Sequence, residues 1–163
     1  MRRWTERPTE VAHLFNPAFC ATVLAYSARG FTAEASAGLP WLFTFVVVPL
    51  ILHKSTREVS PTIKTTKLHS WIERNPSIRI GFSDRARSVV PHVREAIIFG
   101  ASTGLLVCDA CGNVFAGPRL PKKETNTVSE EVRECFRRAR TLGAVLASGG
   151  TEYTVFAMLG VQV

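Results

Sequence analysis

At 163 residues, 46% hydrophobic and carrying a net charge of +7, the chain is expected to fold as one domain over residues 1–163. Its four cysteines lie far apart except for one pair, which excludes a secreted disulfide scaffold. No apolar segment follows the basic start Met1-Arg2-Arg3, so neither a signal peptide nor a membrane span is expected, and the expected location is cytoplasmic.

In chain order, Val11, Leu14 and Phe15 suggest a short helical turn or packed lead-in. Asn16-Pro17 then opens a helix, with Asn as cap and Pro at the first helical position, and Gly30 is read as its close. Residues 31–39 read as a small-residue loop. The run Trp41-Leu-Phe-Thr-Phe-Val-Val-Val-Pro-Leu-Ile-Leu52 is too short to cross a bilayer, which takes about 20 apolar residues, so it must be buried in protein. Period alone does not separate helix from strand here; Pro49, which would break a central ladder, favours helix. Residues 8–52 thus form an N-terminal part of helices and a buried apolar segment.

Three helices are expected next, opened by Ser60-Pro61, Asn75-Pro76 and Pro91. Leu68, Trp71 and Ile72 face inward on the first. Ile78, Phe82, Ala86 and Val89 share a face of the second, and Val93, Ile97 and Ala101 one of the third. Leu105 to Ala116 reads as two short strands around an Asp109–Asn113 turn containing Gly112. The expected class is therefore mainly α with a small β-hairpin (α+β), in which residues 60–117 make a winged-helix-like unit. Residues 117–126 form a surface loop. Thr127-Val-Ser-Glu130 reads as a capping box, followed by a helix whose apolar stripe includes Val128, Val132, Cys135, Phe136, Ala139, Leu142 and Leu146. Gly149-Gly150 ends it, and residues 153–161 are apolar enough to dock; residues 127–163 form a C-terminal helix and tail.

Little of this carries chemistry. Cys108-x-x-Cys111 would be half of a zinc site, but the remaining Cys and His are single and distant, so no metal or cofactor is expected. There is no Gly-x-Ser-x-Gly, no phosphate loop and no carboxylate cluster, so the chain is not read as an enzyme and no catalytic residue is assigned. Between Leu50 and Glu95, however, nine Lys/Arg face four acids. Lys64, Lys67, Arg74, Arg79, Arg85 and Arg87 are candidates for contacts to a DNA backbone, insensitive to sequence. The Pro91–Thr103 segment offers too few long polar side chains for base readout.

The second candidate is the point where the apolar run surfaces. His53, Lys54, Thr56, Arg57 and Glu58 are gathered there, and Lys54 and Arg57 are expected to point outward at a partner's carboxylates or at phosphate. A self-contained alternative pairs Arg57 and Glu58 within the protein.

Several segments in order carry a resemblance: Asn16-Pro17-Ala18-Phe19, Pro49-Leu50, His53-Lys54-Ser55-Thr56-Arg57-Glu58 with Pro61, Leu68-His69-Ser70-Trp71-Ile72, Gly81-Phe82 with Arg85-Ala86, Arg94-Glu95-Ala96 and Met158-Leu159-Gly160-Val161. Together they resemble the small middle component of bacterial three-component ABC systems, a group that includes Lamassu-type anti-phage and anti-plasmid operons. That resemblance implies a non-catalytic adaptor bridging an SMC/Rad50-like coiled-coil ATPase and an effector subunit, often a nuclease. The basic residues add double-stranded DNA, through its phosphates, as a candidate partner, and no membrane partner is expected. Cys108-x-x-Cys111 and the basic stretch 119–123 fall outside it. The alternative function is a stand-alone winged-helix DNA-binding regulator.

Overall fold

The structure, a computed structural model, describes residues 15–122 and 128–161; the lead-in expected at Val11 and Leu14 and the capping-box residue Thr127 lie outside them. Helix α1, Pro17–Ala35, starts as the sequence dictates, with the Asn16 side chain accepting from the Ala18 amide. It does not stop at Gly30. It runs on to Ala35 and ends at Ser36, which takes a left-handed conformation (φ 53°), so the small-residue loop is shorter than expected. Gly30 instead lies where α1 crosses α6 (Glu130–Ala147): a Cβ there would collide with the Arg140 carbonyl. Gly143 of α6 plays the reciprocal part, its missing Cβ making room for the Ser27 carbonyl. Two glycines thus let the two backbones close on one another.

Buried positions occur on every side of α1, from Cys20 to Phe31, so it is the central helix and has little amphipathic pattern of its own. After it come the two-residue strand β1 (Leu39–Pro40), a 3₁₀ turn at Trp41–Phe43 and α2 (Thr44–Leu52). The apolar run is a helix as expected, with Pro49 inside it. Short α3 spans Lys54–Glu58 and α4 spans Leu68–Arg74.

The three-helix expectation over residues 60–103 is corrected by the structure. Ser60-Pro61 opens turns rather than a helix, and α4 begins only at Leu68. Asn75-Pro76 opens a single 3₁₀ stretch, Pro76–Arg79, which Gly81 (φ 63°) breaks. From there α5 runs unbroken over Phe82–Thr103, with Pro91 inside it. A proline removes one helical hydrogen bond, and burial along Phe82, Ala86, Val89, Val93, Ala96 and Gly100 outweighs that loss.

The hairpin forms where expected, as β2 (Leu106–Cys108) and β3 (Asn113–Ala116). The sequence did not announce its third strand: β1 pairs antiparallel with β3, Leu39 opposite Val114, giving the order β1-β3-β2. The hairpin and α5 both pack on α1, so the unit expected over residues 60–117 draws its strand and its central helix from outside that range. Helix α6 is capped by Ser129, whose hydroxyl accepts from the Val132 amide. Helix α7, Glu152–Met158, docks the tail through Val155, Phe156 and Leu159. One apolar cluster extends from Cys20 to Leu159 through all of these helices and the sheet. The fold class is α+β, mostly helical with a small antiparallel sheet. Among the described residues no helix is long and apolar enough to cross a membrane.

Candidate functional site

The junction that follows α2 is built from inside outward. Helix α2 ends in carbonyls that its own backbone cannot satisfy. Arg57 turns back to them: its Nη1 donates to the Ile51 carbonyl (2.9 Å), while its Nη2 reaches Glu131 on α6 (2.7 Å). A guanidinium at a helix C-terminus also meets the negative end of the helix dipole. Thr56 is buried beside it. The next turns are closed the same way, as the Ser60 hydroxyl donates to the Arg57 carbonyl (2.7 Å), Arg138 of α6 to the Ser60 carbonyl, and the Trp71 indole to the Val59 carbonyl (2.7 Å).

This arrangement corrects one sequence expectation. Arg57 points inward, with 9% of its side chain exposed, and its internal partner is Glu131 rather than Glu58. His53, Lys54 and Glu58 are exposed. His53 starts α3, its carbonyl accepting from the Arg57 amide (2.9 Å) and its Nδ1 paired with the Thr56 hydroxyl (2.8 Å). Partial burial and, after it, the Arg85 charge hold the His53 imidazole below its ordinary pKa of 6.5. Beside these residues lies a cavity of about 210 Å³ lined by Phe15, Pro49, Leu52 and Val89 together with His53, Lys54 and Arg85. The junction is therefore a clamped ledge, with outward charges next to an apolar hollow.

The six basic candidates do not gather in one place. Lys64 pairs with Glu34 (2.8 Å) and lines a cavity of about 630 Å³ between the end of α1 and α6, with Arg137 and Arg140. Arg85 is spent on the Ile80 and Ile78 carbonyls (2.6 and 3.0 Å), beside the junction. Arg87 pairs loosely with Asp84 (3.7 Å) and lines a third hollow with Phe45 and Phe156. Lys67, Arg74 and Arg79 are exposed and make no ion pair with a described residue. Sequence reasoning missed Glu131 and Arg138, the two α6 residues that clamp the junction. It also missed the basic cavity formed by Lys64, Arg137 and Arg140. Their positions along α6 read as ordinary surface charge, and only the approach of the 51–64 segment gives them a role.

Among the described residues, no group of three or more His, Cys, Asp or Glu side chains is placed to hold a metal ion. Cys20 and Cys135 are buried, and burial pushes the Cys20 thiol up to about 12, which leaves it protonated and inert. Cys108 and Cys111 are exposed at the hairpin turn.

No curated protein and no solved structure matches the chain. The family model for the middle component 3 of ABC-three component (ABC-3C) systems matches residues 4–163. A match of that length covers every element described above, and the chain belongs to the ABC-3C middle component 3 family.

Proposed function

We propose that the protein is the non-catalytic adaptor of a Lamassu-type anti-phage or anti-plasmid complex in the cytoplasm, bridging an SMC/Rad50-like coiled-coil ATPase and an effector, a nuclease by preference. The observation that carries this reading is the family match along almost the whole chain. Partner capture is assigned to the ledge. His53, Lys54 and Glu58 supply its outward contacts, and Thr56 and Arg57 fix its backbone. An apolar hollow flanked by exposed charges suits a docked element whose contacts are partly desolvated, where single charges count most. Any DNA contact falls to Lys67, Arg74 and Arg79, which are exposed and make no ion pair with a described residue, and is directed at phosphates.

Co-purification from the intact operon tests the reading. Lys54→Glu combined with Glu58→Lys should leave the fold intact and strip the ATPase from the complex. Full retention of the ATPase by the well-folded variant would remove the ledge from the interface. A solitary protein that binds one DNA sequence tightly at physiological salt would replace the adaptor with a regulator.

A further inference from the structure

We propose that Cys108 and Cys111 are half of a zinc site, completed by the same two residues from a second copy of this chain. The proposal is independent of the adaptor reading and rests on the tip of the β2–β3 hairpin. Both thiols are free and exposed there, three positions apart, across a turn that the chain holds rigidly. The Asp109 carboxylate accepts from the Cys111 amide (2.9 Å), the Asn113 amide (2.8 Å) and the Asn113 side chain (2.9 Å). The Gly112 amide closes the turn onto the Asp109 carbonyl (3.2 Å), and Gly112 itself takes φ 81°, a conformation that side chains resist. Behind the turn, the Trp41 amide donates to the Gly112 carbonyl (3.1 Å), and its indole fills the space a Gly112 Cβ would enter. The backbone that carries the pair is thus preorganised, so ordering it takes little from the binding energy of a metal.

Two thiolates do not complete a structural zinc site, which takes four ligands in a tetrahedron. The described part of this chain offers no others, since no third His, Cys, Asp or Glu joins the pair and the remaining cysteines are in the core. A twofold axis through the metal supplies the missing two without further residues, and twofold dimers are the commonest closed assembly. The surroundings point the same way. Trp41 (48% exposed) stands against Gly112 of the turn as a large apolar side chain facing solvent. A second hairpin brought up to the metal would cover it and its counterpart. In the balanced step, four S–H bonds break, four Zn–S bonds form and four protons pass to solvent, with no change of oxidation state.

The test uses the full chain, expressed with added zinc and purified under reducing conditions without a metal-affinity tag. Elemental analysis and light scattering should give one zinc for every two chains and the mass of a dimer. Chelation should release the zinc and leave monomer. Cys108→Ser with Cys111→Ser should be monomeric and zinc-free from the start, with the circular dichroism and melting of the chelated parent because both side chains are exposed. Cobalt in place of zinc should show thiolate-to-metal charge-transfer absorption in the dimer and none in the double variant. Protein without zinc, a monomer carrying one zinc per chain, a dimer that survives loss of the metal, or zinc acquired only with another subunit of the operon would each overturn the proposal.

Discussion

Two surface segments of this protein are held rigid by opposite means. The hairpin turn at residues 109–113 is closed by its own residues, as Asp109 bonds partners two and four positions away. The ledge at residues 53–60 is closed from a distance. Arg57 reaches Glu131 and Arg138 reaches Ser60, across 74 and 78 positions of chain. A local device can be cut without unfolding anything else. A long-range clamp ties α2, α3 and α6 together, so damage to it should be felt by the whole molecule.

The largest effect should come from Arg57→Glu. It buries a carboxylate against Glu131 and leaves the Ile51 carbonyl without a donor, which should cost about 3–5 kcal/mol, the range for an uncompensated buried charge. Arg57→Met removes the hydrogen bonds and the ion pair without burying a new charge and should cost about 1–3 kcal/mol. Glu131→Gln should cost about 0–1 kcal/mol, because 71% of that side chain is exposed and surface pairs are weak. Chemical denaturation of the three variants checks the order. Equal losses from Arg57→Met and Glu131→Gln would mean that the ion pair, rather than the helix carbonyl, sustains the clamp.

The same contrast explains what could be read from the sequence. Asp109, Gly112 and the flanking β-formers stand next to one another, so the hairpin was legible, as were the Asn16 cap and the stripe of α6. In the run 41–52 period leaves helix and strand open and Pro49 favours helix; the α-helix forms over Thr44–Leu52, behind a 3₁₀ turn at Trp41–Phe43. What failed depended on residues far away in sequence. Gly30 looks like a helix stop until α6 is laid across it, and Pro91 looks like a helix start until the burial on both sides of it is known. β1 is two residues long and exists only because β3 is beside it. Arg57 reads as an outward hook because its distant partner, Glu131, sits among charges that look like ordinary helix surface. In the 53–58 segment the exposure of Lys54 is legible from the sequence, but the clamp beneath it is not.

A smaller and strictly local effect is expected at the hairpin. Asp109→Ala should speed hydrogen exchange at the Cys111 and Asn113 amides while the melting temperature barely moves. Global destabilisation there would erase the distinction between the two segments. On the ledge, Lys54→Glu with Glu58→Lys changes exposed charges alone and should stay within about ±0.5 kcal/mol of the parent stability.

The smallest effect is a pH dependence that belongs to the ledge. Burial, and secondarily Arg85, lower the His53 pKa in the folded state, so the unfolded chain takes up a proton first as pH falls. Where the unfolded state binds more protons, stability rises with pH. The contribution is therefore complete above the ordinary value of 6.5 and is lost as pH falls through the lower folded value. The imidazole is mostly exposed, so the slope should be shallow. Denaturation midpoints measured downward from neutral pH should fall slightly faster for the parent than for His53→Gln, which keeps a polar side chain without the titration. Parallel curves for the two proteins would show that the ledge does not sense the charge of His53, and that its rigidity rests on Arg57 and Arg138.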